Sequence, residues 1–491
     1  MQRVKLALAA ALVFVSGAAA QNRPAFSDVT RQFITVDAPV VVLQHVRLID
    51  GTGGPVTENQ TIVIDNTTIR SVGPDSSASI PAGAHVMDLT GRTVIPGLIG
   101  MHDHTHYAIT GPSVFKPGLP LIWAVPTPTT ARLYLANGVT SVRPAGTWEP
   151  DTDINTKREI DAGNMPGPTI YVTGPFLDGS THAWSDNMYQ NHVLSGPEDA
   201  TREVNFWIDQ GVMNFKAYQG VTRAELAAMV KAAHARGAKI EIHPCAVDWP
   251  EIIAIGADSI EHGILWDTEF TPGRQPDVCP PRRETEAAIA KLDVQSKPVQ
   301  DLIHDLVQHH IAVTSALPTY YPAPGLPIQP GVLRVLSQDA LNNFLTSHTL
   351  QGENTNTPAA QMRAAVYRTE VKFEQAFVKA GGQLMGGPDP GQGGSLQGFE
   401  DLQELELLVD SDEFSPAEAV RIYSHNGAEW LGVANKVGTI QAGMQADLVV
   451  VKGDPSRNIK DVENTEIVFK GGVGFDPQKL LQSIQGLVGI I

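Results

Sequence analysis

The chain has 491 residues, 42% hydrophobic and 18% charged, proportions that suit a globular protein with one large domain and a smaller companion. A net charge of −18 excludes the basic surface that nucleic-acid phosphates demand, so a nucleic-acid partner is not expected.

In chain order, Arg3 and Lys5 precede the apolar run Leu6 to Val15, and the small residues Ser16 to Ala20 follow it. That is the pattern of a signal peptide over residues 1–20. A transmembrane anchor is the weaker reading, because the apolar run is too short to span a bilayer. The expectation is therefore an exported protein, periplasmic or secreted, free of the membrane once the segment is removed. Export makes a disulfide between the only two cysteines, Cys245 and Cys279, possible, with two unpaired thiols as the alternative.

From Val40 the stretches VVVLQHVRLID, TIVIDNTTIRSVG and HVMDLTGRTV alternate apolar residues with Gly, Asn and Asp turns, which predicts a small antiparallel sheet. VGTIQAGMQADLVVVKG and EIVFKGG repeat the pattern near the other end. The two sets either pair into one discontinuous domain, over 38–96 and 432–475, or form independent caps. Between them, over 97–431, apolar strands alternate with helical stretches, as in parallel α/β proteins. Candidate strands are LIGMHDH, VTSVRP, TIYVTG, VMNFKAY, KIEIHP, DSIEHG, HIAVTSAL and GQLMGGPD. Eight such units close a (β/α)8 TIM barrel. Thr222 with Glu225, and Ser415 with Glu418, are capping boxes that open helices. The Pro-, Gly- and Asn-rich segment Tyr320 to Pro358 predicts long loops over the barrel mouth.

The stretch Val94 to Tyr107, VIPGLIGMHDHTHY, reads as a short buried strand that ends in His102, Asp103 and His104. Side chains alternate along a strand, so His102 and His104 point the same way and can converge on a divalent cation. Taken alone, the pair reads more readily as one core histidine and one solvent-facing histidine. Later strands end in further polar residues: Lys216 in NFKAY, His243 in IEIHP, His262 in DSIEHG and Asp389 in LMGGPD. All stand at C-terminal strand edges, where barrel enzymes place their chemistry. A lysine inside an apolar strand is costly unless it is paired, snorkels or loses its charge.

With RLIDGTGGP, VIPGLIGMHDH, ANGVTSVR, SIEHG and VGTIQAGMQADLVVVKGDP, this ordered set resembles the metal-dependent amidohydrolase superfamily. Within it the chain is similar to the exported subgroup of Xaa-Pro dipeptidases and imidazolonepropionase-like hydrolases. The resemblance implies a distorted (β/α)8 barrel with a small β-sandwich built from both chain ends. It also implies two divalent metals, most often Zn2+. His102, His104 and Asp389 would hold one, His243 and His262 the other, and Lys216 would bridge them as a carbamate. The implied reaction is hydrolysis of an amide-type C–N bond by a metal-bound hydroxide, with Asp389 as general acid and base.

His182, in GSTHAWSDN, is either a catalytic histidine near the substrate carbonyl or a surface residue. His106 shares the parity of His102 and His104, and Tyr218 follows Lys216, so both are candidate pocket residues. Arg143 either meets a substrate carboxylate or makes a structural ion pair. Pro144 and the sequence GPDPGQGG depart from the family pattern at the mouth and weaken any carry-over of substrate. Alternatives on the same site are hydrolysis of esters, lactones or phosphoesters, deamination of a heterocycle, or a catalytically silent binding protein. Relatives form dimers or larger rings, so a homo-oligomer is possible.

Overall fold

A computed structural model describes residues 23–108, 123–179, 190–323, 325–353, 355–391 and 395–489. The signal-peptide segment and His182 lie outside these residues.

The two chain ends meet in one nine-stranded sheet. Its strands run in the order Ile34–Val36, Val473–Phe475, Thr465–Lys470, Leu448–Lys452, Arg92–Pro96, Val40–Leu48, Thr57–Asp65 and Thr68–Pro74, with His85–Asp88 paired to Val40–Leu48. The join is antiparallel, between Leu448–Lys452 and Arg92–Pro96. The sheet is mixed rather than purely antiparallel, because Val40–Leu48 pairs in parallel with both His85–Asp88 and Arg92–Pro96. Its core is mainly apolar, with Val41, Leu43, Ile62, Ile64, Val94, Leu448, Val450 and Phe469 buried together.

The middle of the chain forms parallel sheets. Leu98–Asp103 and Val139–Pro144 belong to a three-stranded sheet. Thr173–Gly179, Asn214–Ala217, Lys239–Ile242, Ser259–Glu261, Ala312–Thr314 and Leu384–Met385 follow one another in a seven-stranded sheet. Two links join the sheets: Thr147 bridges Pro175 in parallel, and Met101 N donates to Gly386 O at 2.8 Å. Helices alternate with the strands, and the predicted capping boxes are present at Thr222/Glu225 and Ser415/Glu418. Among the described residues no helix is long and apolar enough to cross a membrane.

Three expectations are corrected. The apolar run from Val94 to Ile99 is two strands, Arg92–Pro96 in the mixed sheet and Leu98–Asp103 in the parallel one. Gly97 lies at the break, where a Cβ would come within 2.1 Å of Thr140 Oγ1, so only glycine lets the chain change sheets there. The third long parallel strand starts at Thr173 rather than Thr169, since Thr169–Ile170 makes a separate pairing beside Val139–Pro144. The segment from Tyr320 to Pro358 is not mainly loop: Pro330–Val335 and Gln338–Glu353 are helices. Leu341, Phe344, Leu345 and His348 recur at helical spacing, and packing of Phe344 and Leu341 into a cluster with Val332, Phe399 and Ile484 outweighs the surrounding breakers.

Candidate metal-binding active site

The C-terminal ends of the parallel strands surround a cavity of about 500 Å³ lined by His102, His104, His106, Lys216, Tyr218, His243, His262 and Asp389, among others. His102 lies near the end of the first strand, and Asp389 is brought to it by main-chain pairing, Asp389 N donating to His102 O at 3.0 Å. Gly387 permits that approach, because a Cβ there would meet His102 N at 2.0 Å. Asp389 adopts a left-handed φ of 60° and His262 one of 68°, uncommon for residues other than glycine.

One ring nitrogen of His102, one of His104 and one carboxylate oxygen of Asp389 lie within 4.8 Å of one another. His104 Nε2 is 2.9 Å and His102 Nε2 3.8 Å from Asp389 Oδ1, while His262 Nδ1 is 4.0 Å from Asp389 Oδ2. The His262 ring stands 4.3 Å, centroid to centroid, from both His102 and His243. Among the described residues, His104 Nδ1, His262 Nδ1 and Lys216 Nζ are buried with no hydrogen-bond partner. Such a concentration of unsatisfied buried donors and acceptors is uncommon in a folded protein and marks a place built for something else to bind.

Electrostatics agree with that reading. Burial, with Lys216 nearby, pushes His102 well below the usual histidine range, and burial beside His102 does the same to His262. Both rings are therefore neutral, the form that ligates metals. Burial also lowers the Lys216 pKa, against the attraction of Glu261 and Glu241. Beneath the site lies a buried ion cluster whose acids the sequence reading did not name. Arg143 is fully buried, and its guanidinium meets Glu241 at 2.6 Å and Glu261 at 3.0 Å. Burial raises Glu261, but Arg143, Lys216 and His102 outweigh it and hold its carboxyl well below the ordinary range. Burial lifts Glu241 to about 8, so one acid of the pair carries the charge and the other the proton. Glu261 Oε2 lies 2.5 Å from His102 Nδ1, which fixes the ring and leaves Nε2 toward Asp389.

Arg143 makes buried ion pairs, the second of its two alternatives, and it does not line the cavity. His106 and Tyr218 do line it. His106 stands 4.1 Å from the Trp148 ring, Trp148 4.4 Å from Phe176, and Tyr218 5.3 Å from His243. Cys245 and Cys279 form a disulfide with Cα atoms 4.9 Å apart, tying the segment after His243 to the one after Trp266. Glu241, Glu261, Gln219, Trp148, Trp266 and Tyr320 were missed. Gln219 Nε2 lies 2.9 Å from His243 Nε2, and Trp266 Nε1 donates to Tyr320 Oη at 2.7 Å. A signal existed for the two acids, since each interrupts an apolar strand just before a site histidine.

Residues 355–476 match the Amidohydrolase family. Imidazolonepropionase of Geobacillus kaustophilus (strain HTA426) is 38% identical over 95 residues, a match that spans 18% of this chain and 21% of that protein. The fold is similar to a Xaa-Pro dipeptidase solved with methionine in its active site, with a TM-score of 0.66 and 19% identity over 89% of this chain and all (100%) of that one. It is also similar to A. niger ochratoxinase, with a TM-score of 0.64 and 17% identity over 90% and 96% of the two chains. The segment 355–476 thus resembles the Amidohydrolase family in sequence, and the described residues share the fold of these solved structures.

Proposed function

We propose that the protein is a metal-dependent hydrolase of amide-type C–N bonds in peptides, N-acyl amino acids or related amides. The observation that carries this reading is the convergence of His102, His104 and Asp389 beside His243, His262 and Lys216 in one cavity. The buried, partnerless nitrogens of His104, His262 and Lys216 fit cation binding. In this reading His102, His104 and Asp389 would hold one Zn2+, His243 and His262 would hold a second, and Lys216, carboxylated, would serve as a shared anionic ligand. Its depressed pKa favours the neutral amine that carboxylation requires, and the modification turns a costly buried ammonium into an anionic ligand. When bound, the cations supply Lewis acidity and a water of lowered pKa.

The chain's own groups supply the rest. Glu261 orients His102, and Asp389 accepts a proton from the attacking water at its carboxylate and returns it to the leaving nitrogen. Tyr218, His106 and the Trp148–Phe176 pair line the substrate's path. His182, as a histidine near the substrate carbonyl, belongs to the same proposal. The links Met101–Gly386 and Thr147–Pro175 support a closed (β/α)8 barrel over 97–431, and the nine-stranded sheet supports a composite domain from 38–96 and 432–475. Residues 1–20 are proposed as an export signal, which is compatible with the disulfide.

The test is metal content by mass spectrometry, run beside turnover of N-acyl amino acids, dipeptides and lactones by wild type and Asp389→Asn. About two metals per chain, and a loss of kcat of about a thousandfold or more in the variant, are expected. Undiminished turnover in the variant or in chelator-stripped protein would overturn the proposal, and turnover of lactones alone would move it to ester-type bonds.

A further inference from the structure

Two arginines stand on the side of the cavity formed by the segments after the sixth and seventh long parallel strands. Arg282 opens the helix Arg282–Ile289, and Arg363 lies in the first turns of Pro358–Lys379. Arg282 is held in place: its guanidinium lies 4.9 Å over the Trp266 ring, and its Nε meets Glu286 at 2.8 Å. Trp266 in turn stands 4.8 Å from the His243 ring, so this cationic corner is two ring contacts from the proposed metal site. Arg363 makes no hydrogen bond or ion pair with any described residue. Its pKa is lowered by burial and then by Arg282, with Glu286 as the acid that opposes the effect.

Two guanidinium groups therefore share one carboxylate, in a protein whose net charge is −18. A local excess of positive charge inside an acidic protein draws anions to one spot, and a planar guanidinium with unfilled donors favours a carboxylate, which it can grip in a bidentate manner. The same cavity is also lined by His106, Trp148 and Phe176, whose rings form an aromatic wall.

We propose that Arg363, with Arg282 beside it, is a carboxylate subsite, so that the substrate is an amide with an acid group on one side of the scissile bond and an apolar or aromatic group on the other. This rests on the hydrolase reading for the reaction but not for the binding. The sequence had offered Arg143 for this role, and the structure spends that residue on Glu241 and Glu261.

The experiment uses two probes that contain no bond to hydrolyse, 4-phenylbutanoate and 4-phenyl-1-butanol, titrated calorimetrically into the metal-loaded full chain. The acid is expected to bind about tenfold or more tightly than the alcohol. Arg363→Ala should close most of that gap while leaving alcohol binding unchanged, and Arg363→Lys should keep part of it. Neither arginine belongs to the buried core, so the variants are expected to fold normally. Equal binding of the two probes by wild type would overturn the subsite. So would a gap that survives in Arg282→Ala/Arg363→Ala, which would place the carboxylate on the metals. An Arg363-dependent gap in a protein that hydrolyses nothing would overturn the hydrolase reading and leave the subsite standing.

Discussion

The nine-stranded sheet and the parallel strands both bury apolar side chains but treat charged groups in opposite ways. The sheet's interior is Val, Ile, Leu, Met, Ala and Phe with the uncharged Thr61 and Thr93, and its charged residues lie nearer the surface, as in the Arg47–Glu58 and Arg92–Glu466 pairs. The parallel strands bury His102, Arg143, Lys216, Glu241 and Glu261 at the centre of the fold. The first region has only to hold together. The second accepts desolvation of charged groups in order to hold histidines in fixed directions, a cost that stability alone would not select.

The largest effect that would test this contrast is expected from Arg143→Ala. Removing the cation leaves Glu261 charged and buried without its main partner, which should cost about 3–5 kcal/mol in urea unfolding and abolish turnover through the loss of His102 orientation. A loss below about 1 kcal/mol would mean that the cluster is not what supports the site. Ile62→Ala, in the fully buried core of the sheet, should cost about 3 kcal/mol by cavity formation and leave kcat unchanged. A fall in kcat larger than the loss of folded protein would show that the two regions are coupled.

A smaller effect separates the regions by pH. Asp153 is buried, accepts a hydrogen bond from Thr105 Oγ1 at 2.6 Å, and has its pKa raised by burial from 3.8 to about 7. A raised folded pKa favours the protonated form. The contribution is therefore complete below 3.8 and is lost progressively as pH climbs toward and through about 7. Asp153→Asn should unfold with a flatter pH dependence than wild type over that window, and parallel profiles would show that another acid is responsible.

Much of the site was legible because strand geometry is local. His102 and His104 share a direction through alternation alone, and Lys216, His243, His262 and Asp389 each stand out as polar residues at the end of an apolar strand. The roof was less legible. Gln338–Glu353 carries helical periodicity inside a segment rich in Asn, Gly and Thr, and composition pointed to loop until packing against Phe399 and Ile484 was visible. Trp266, Arg282 and Arg363 gave no signal, since they reach the cavity from a short 3-10 turn and two helices whose placement no local pattern encodes.

The sequence by itself determined the capping boxes, the order of strands and the parity of the paired histidines, because each depends on residues a few positions apart. Only the tertiary structure decided that Arg143 is consumed by Glu241 and Glu261, that Cys245 meets Cys279, and that the chain changes sheets at Gly97. Each of these depends on partners brought together by the folded backbone, and whether a buried arginine meets a substrate or an internal acid is fixed by which strands become neighbours.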